Sequence, residues 1–260
     1  MPESIAVFGG VYSNYLALEA VCRDAKGRGA EALFCLGDLG AFGPHPDRVL
    51  PVLERFQVAS IQGNYEESLS QRHGDCNCGY TDPRDNHYAR ISYEYTSLKT
   101  SETTKDWMGT LPTQRRLDFG GRRVLMAHGS PRRINEFLWY STSSASFLSR
   151  MLGTHQSDLL LVTHTGLHWH RKLGEDRDVV NVGVIGRPPN NGRPEVTYTL
   201  LTSGRDLRVE FVPVAYDHTR LAREMAEEKL PEEFIQTILT GWWTTCLEIL
   251  PAKERALSRY

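Results

Sequence analysis

The sequence predicts an α/β fold, and two observations carry the prediction. Short apolar runs such as residues 5–8 ("IAVF") and 32–36 ("ALFCL") end in glycine-containing turns, the pattern of buried strands. Longer stretches of helical apolar spacing lie between them. The chain therefore opens strand-helix-strand-helix-strand, the order of a parallel sheet with crossover helices.

The first strand meets Gly9 and Gly10, and Asn14 precedes a helix over 15–27, where its side chain suits an N-cap. The second strand, 32–36, ends in Gly37-Asp38. A helix over 46–56 leads to a third strand, 58–62, ending in Gly63-Asn64. Residues 66–95 break this rhythm: they are polar, rich in turn formers and hold two cysteines and two histidines. A long irregular stretch inside a domain reads as a functional, lid-like insertion. A helix is expected near 96–109, and 114–130 reads as a hairpin turning at Gly120-Gly121. A helix near 134–152 leads to the strand in "DLLLVTHTG"; "VVNVGV", "EVTYTLLT" and "LRVEFVPV" supply three more. Residues 217–240 read as two helices, with Pro231 opening the second. The aromatic stretch 241–250 ("GWWTTCLEIL") is expected to pack on the core, a homo-oligomeric contact being the alternative.

At 260 residues the chain is long enough for one large domain, with the insertion at 66–95 and C-terminal helices over 217–260. A net charge of -2 gives no electrostatic reason to expect nucleic acid or an anionic membrane. No apolar run approaches the roughly 20 residues that span a bilayer. Without a basic, cleavable leader the expected location is cytoplasmic, and five cysteines without a framework spacing suit a reducing compartment.

Four strands each end in a turn with one metal-competent side chain: Asp38 in "LGDLG", Asn64 in "QGNYE", His128 in "MAHGSP" and His164 in "VTHTG". Taken singly, each also reads as a turn or capping residue. Parallel strands bring their carboxyl ends to one edge, so the four can converge. A carboxylate, an amide oxygen and two imidazoles suit a divalent transition metal such as Mn, Fe or Zn.

This ordered set resembles the calcineurin-like metallophosphoesterase superfamily, whose pattern is Asp-x-His, Gly-Asp, Gly-Asn-His-Asp/Glu, His and Gly-His-x-His. The resemblance implies a two-sheet αββα sandwich and a hydrolase of small phosphorylated molecules with one or two metal ions. It also implies an uneven centre. The second-metal positions are Asp38, Asn64, His128 and His164, all present. The first-metal positions are Gly10, Tyr12, Asp38 and Gly166, so only the shared carboxylate survives. Tyr65 stands where the family has its leaving-group histidine, and a phenol is a poorer acid at neutral pH than imidazole.

Either the first site is lost or other residues rebuild it. Tyr12, Cys76, Cys78 and His168 are the candidates for rebuilding, and His168 and His170 follow the missing histidine closely. Tyr65 and Tyr12 are the candidate catalytic groups. Arg84, Arg132, Arg133 and His170 are the candidate substrate contacts, since arginine's planar fork suits phosphate. The expected function is phosphomonoester or phosphodiester hydrolysis at an altered centre. A rebuilt iron-type centre with different chemistry and a catalytically silent metal- or ligand-binding protein are the alternatives.

Overall fold

The structure is a computed structural model and describes residues 3–257. In chain order it runs β1 (Ser4–Phe8), α1 (Tyr15–Gly27), β2 (Ala32–Cys35), α2 (Val49–Phe56), β3 (Ala59–Ser60), α3 (Asn64–Ser70), α4 (Pro83–Lys99) and α5 (Glu102–Gly109). The hairpin β4 (Gln114–Phe119) and β5 (Arg122–Ala127) follows, then α6 (Ala145–Thr154), β6 (Leu159–Val162), β7 (His168–Lys172) and β8 (Asp178–Val182). The chain closes with β9 (Val196–Thr202), β10 (Arg208–Val214), α7 (His218–Glu227), α8 (Glu232–Thr240) and α9 (Ala252–Arg255).

Two five-stranded sheets result, ordered β10-β9-β1-β2-β3 and β4-β5-β6-β8-β7. In the first, β1, β2 and β3 run parallel out to the β3 edge, with β9 and β10 antiparallel on the other side; in the second, β5, β6 and β8 run parallel between the antiparallel edges β4 and β7. The parallel pairing expected of the opening strands and the hairpin expected at 114–130 are both present.

Alternation along the strands explains the layering. In β1, Ile5 and Val7 point into a core shared with Val124 and Met126 of β5, Leu159 and Leu161 of β6, and Val180 and Val182 of β8. Their neighbours Ala6 and Phe8 point the other way, into a cluster with Ala17, Leu18 and Val21 of α1. Leu160 and Val162 of β6 likewise meet Leu148, Met151 and Leu152 of α6. A period of two turns alternate side chains to opposite faces, so each sheet is apolar on both and requires helices outside. Each buried aliphatic side chain contributes about 1.5–3 kcal/mol.

Three elements differ from the sequence reading. Within 66–95 only residues 71–82 are irregular; the remainder belongs to α3 and α4. Helix α4 carries few apolar residues at helical spacing, so periodicity is silent there. Its start is nonetheless written in the chain: Asp82 accepts a hydrogen bond from the Arg84 backbone N–H, and Pro83 sits in the first turn. Residues 134–144 are not helical, because α6 begins only after Ser144 caps it through the Phe147 N–H. Strand β7 has no apolar run because it is an edge strand. No helix among the described residues is long and apolar enough to cross a membrane.

Candidate metal centre

The carboxyl ends of β2, β3, β5 and β6 meet at one edge of the two sheets. Asp38 and His164 both leave their strands in the left-handed region, at φ 58° and 68°. Such strain in non-glycine residues persists where surrounding structure holds it, and it gathers at functional sites. Glycine is required beside them. A Cβ on Gly63 would lie 2.5 Å from Asp38 Oδ1, and one on Gly37 would lie 2.2 Å from the Gly63 nitrogen.

The four side chains converge and are almost completely buried. His128 Nε2 stands 3.1 Å from Asn64 Oδ1, 3.1 Å from His164 Nδ1 and 3.3 Å from Asp38 Oδ2. Donors each about 2.1 Å from one ion stand roughly 3.0–3.4 Å apart, so these separations fit a single shared ion.

The outer contacts show which atoms carry lone pairs. A carbonyl oxygen only accepts, so His128 Nδ1–H donates to Leu36 O at 2.6 Å and His164 Nε2–H donates to Cys78 O at 3.2 Å. Asn64 Nδ2 donates to Cys76 O at 2.8 Å, which turns its Oδ1 inward. With both rings neutral, their inner nitrogens, the amide oxygen and the carboxylate present lone pairs to one another; with His128 protonated, its Nε2–H donates to Asp38. Four such acceptors could together hold a cation, and backbone carbonyls orient Asn64, His128 and His164 as outer partners orient metal ligands.

The electrostatics agree. Burial opposes the charge on Asp38, but His128 outweighs it and holds the carboxyl below its usual range. Burial also opposes charge on His128, yet the facing Asp38 holds this imidazole above its ordinary value. Burial, then His128, pulls His164 down to about 3. Without an ion, the facing Asp38 favours a proton on His128.

A profile of the calcineurin-like phosphoesterase superfamily domain matches residues 4–206. The chain belongs to that superfamily. A relative, an uncharacterized protein of Methanocaldococcus jannaschii, is 25% identical over 251 residues, covering 91% of this chain and 98% of its own length. Among solved structures, a hypothetical protein from Pyrococcus horikoshii has a TM-score of 0.77 at 22% identity, covering 93% of this chain and 99% of that one. A metallophosphoesterase from Sphaerobacter thermophilus has a TM-score of 0.70 at 22% identity, covering 93% and 100%. These likenesses agree with the two-sheet fold.

Around the cluster, the positions of Gly10 and Gly166 are closed to a larger side chain. A Cβ on Gly10 would lie 2.9 Å from Tyr12 Cζ, and one on Gly166 would lie 2.7 Å from Trp243 Cη2 and 3.2 Å from Arg187 Nη2. Asp38, His128 and His164 are the one group of three or more His, Cys, Asp or Glu side chains that converges among the described residues. Cys76 and Cys78 stand outside it: both offer backbone carbonyls to its members, and the Cys78 Sγ also accepts from Asn64 Nδ2 at 3.4 Å. A hydrogen bond with Cys76, with burial, pushes the Cys78 thiol up. His168 packs on Phe211, with ring centroids 4.5 Å apart, and His170 Nε2 lies 2.6 Å from Asp178 Oδ1, so neither joins the cluster.

Tyr12, Asp38, Tyr65, Tyr80, His164 and Arg187 line a cavity of about 50 Å³ beside the cluster, room for roughly three waters. Tyr65 OH shares a 2.9 Å hydrogen bond with Ser92 Oγ. Burial pushes the phenols of Tyr65 and Tyr12 up, which works against a tyrosinate ligand. Arg84, Arg132 and Arg133 are exposed: Arg84 pairs with Glu248 at 3.2 Å and Arg132 pairs with Glu136.

Sequence reasoning passed over three residues. Glu66 is fully buried and accepts from the backbone N–H groups of Asp38 (2.7 Å), Leu39 (2.8 Å) and Gly63 (2.7 Å), tying the Asp38 loop to the start of α3. Its signal was a capping-box glutamate three residues after Gly63. Asn181, inside the buried β8, donates to Thr163 O at 3.1 Å and Thr165 Oγ1 at 2.9 Å, bracketing His164. A polar residue in an otherwise apolar strand was its signal. The third is Arg187, which no local pattern distinguishes from a surface arginine.

Proposed function

We propose that this protein hydrolyses a phosphate ester of a small molecule at a mononuclear divalent metal centre held by Asp38, Asn64, His128 and His164. One observation carries the reading: three ligand atoms lie 3.1–3.3 Å from His128 Nε2, a fourth, while backbone carbonyls take the outward N–H of both rings. When bound, a divalent ion at such a site polarises a phosphoryl oxygen and lowers the pKa of water.

The chain supplies the rest. Tyr65, kept protonated by burial, faces the same cavity and donates a hydrogen bond to the leaving oxygen. A phenol transfers a proton less readily than an imidazole, so turnover is slower than where a histidine does this work. An adjoining polar groove of about 710 Å³, walled by residues 74–80 with Asn86, His87 and Arg90, accepts the remainder of the substrate.

Protein purified without added metal is expected to carry one Mn, Fe or Zn per chain and to hydrolyse bis-p-nitrophenyl phosphate or p-nitrophenyl phosphate. Asp38→Asn is expected to lose both. Metal-free protein that no divalent ion binds would overturn the centre. Turnover unchanged in Asp38→Asn would overturn the mechanism. A second reading, metal-dependent binding without turnover, draws support from the glycine-for-ligand positions and from Tyr65. Phosphate binding without hydrolysis by any loaded form would select it.

A further inference from the structure

Arg187 lies in the segment joining β8 to β9, which hydrogen-bonds to the end of β1 through Ile185 N–H to Gly9 O at 3.0 Å and Gly186 N–H to Gly10 O at 2.7 Å. This anchoring draws the side chain inward, where it is 5% exposed and lines the cavity shared with Asp38 and His164. Its guanidinium lies flat over Trp243, 3.5 Å from the ring centroid, with Tyr12 at 5.9 Å. Among the described residues no carboxylate pairs with it, and its Nε is buried with no hydrogen-bond partner.

A buried guanidinium that keeps donors unused is costly, and the aromatic stack offsets only about 2 kcal/mol. What such a group lacks is an anion. Its location adds a second argument. Arg187 Nη2 would stand 3.2 Å from a Cβ on Gly166, one of the two glycines at the first-metal positions, and the other, Gly10, is closed by Tyr12 and Val184. That half of the centre is filled by a fixed positive charge rather than open to a second ion.

We propose that Arg187 is the oxyanion receptor of this site: its guanidinium binds the phosphoryl oxygens of the substrate, in place of a first metal ion. The assignment rests on the phosphoesterase reading above and specifies how its substrate is held. A planar fork presents two parallel donors to one phosphoryl group, and the stack on Trp243 fixes their direction before substrate arrives. The phosphoryl oxygens displace the cavity's waters, and the ion and Arg187 share the substrate's charge. The ligand class is a dianionic or monoanionic phosphoryl group.

The test measures inorganic phosphate affinity by calorimetry on manganese-loaded and metal-free protein, with elemental analysis of the same samples. Arg187→Gln is expected to weaken phosphate binding at least tenfold in both forms while retaining one ion per chain. Arg187→Lys keeps the charge but loses the fork, and is expected to remain at least threefold weaker than wild type. Phosphate affinity within twofold of wild type in a folded Arg187→Gln would overturn the proposal, as would two ions per wild-type chain. If Arg187→Gln does not fold, wild-type crystals soaked in tungstate decide: the anion within hydrogen-bond reach of Arg187 supports it, and an anion only elsewhere, or none, overturns it. Wild-type protein that binds no metal yet shows Arg187-dependent phosphate binding would sink the metal-centre reading and leave the receptor standing.

Discussion

His128 is the residue on which the centre turns, because its Nε2 lies within 3.3 Å of the other three donors. An ion entering the site displaces the proton that Asp38 otherwise holds there. The sign follows: His128 titrates above its ordinary value, so below that point the ion competes with one proton and affinity falls about tenfold per pH unit. Above it, affinity is flat. His164, pulled down to about 3, stays neutral across this range and adds no second proton. Manganese or zinc titrations between about pH 5 and 6.5, below the ordinary histidine value, are expected to show a slope of one proton, and a slope of two or none would contradict the assignment. Asn64→Leu keeps most of the volume but removes the amide oxygen; metal affinity is expected to fall by at least tenfold, measured in the same titration.

At the scale of elements, the site depends on loops that ligands alone would not hold. Glu66 is the connection: one carboxylate accepts three backbone N–H groups from two separate loops. In Glu66→Gln an amide NH₂ replaces one acceptor oxygen and leaves a buried N–H facing a donor. The expected loss is about 1–3 kcal/mol in stability, read by urea denaturation, with metal binding weakened roughly 10–100-fold. Stability lost without any change in metal affinity would show that the loops hold the ligands unaided. The start of α4 is tested separately: Asp82→Ala removes its cap and is expected to cost about 1 kcal/mol, with metal affinity unchanged. Both elements announced themselves through caps rather than hydrophobic periodicity, which is why a periodicity reading left α4 as an irregular insertion.

Over the whole molecule, the candidate centre draws side chains from both sheets, whose facing layer is mainly apolar. Asp38 and Asn64 follow strands of one sheet, and His128 and His164 follow strands of the other. An ion bound to all four therefore links the folded layers and has no equivalent site in the unfolded chain. At one hundred times its dissociation constant, manganese is expected to add about 2.7 kcal/mol, raising Tm by roughly 5–10 °C for a chain of this size. Chelation should reverse the shift, and Asp38→Asn should show none; an equal shift in that variant would place the ion elsewhere.

The chain's one-dimensional pattern was enough for the α/β class, for most of its strands and for singling out Asp38, Asn64, His128 and His164, which the fold brings together, because each sits at a turn marked by glycine or by a strand's abrupt end. The same pattern, set beside the family's, raised the expectation that only one half of a two-ion arrangement keeps its side chains. Tertiary structure alone decided what occupies the other half. Arg187, Trp243 and Tyr12 come from the β8–β9 connection, the segment after α8 and the turn after β1, and no spacing rule relates them. Their meeting is set by how the two sheets and the C-terminal segment pack. Local propensity acts over a few residues, whereas burial of a charge is fixed by neighbours more than fifty positions away.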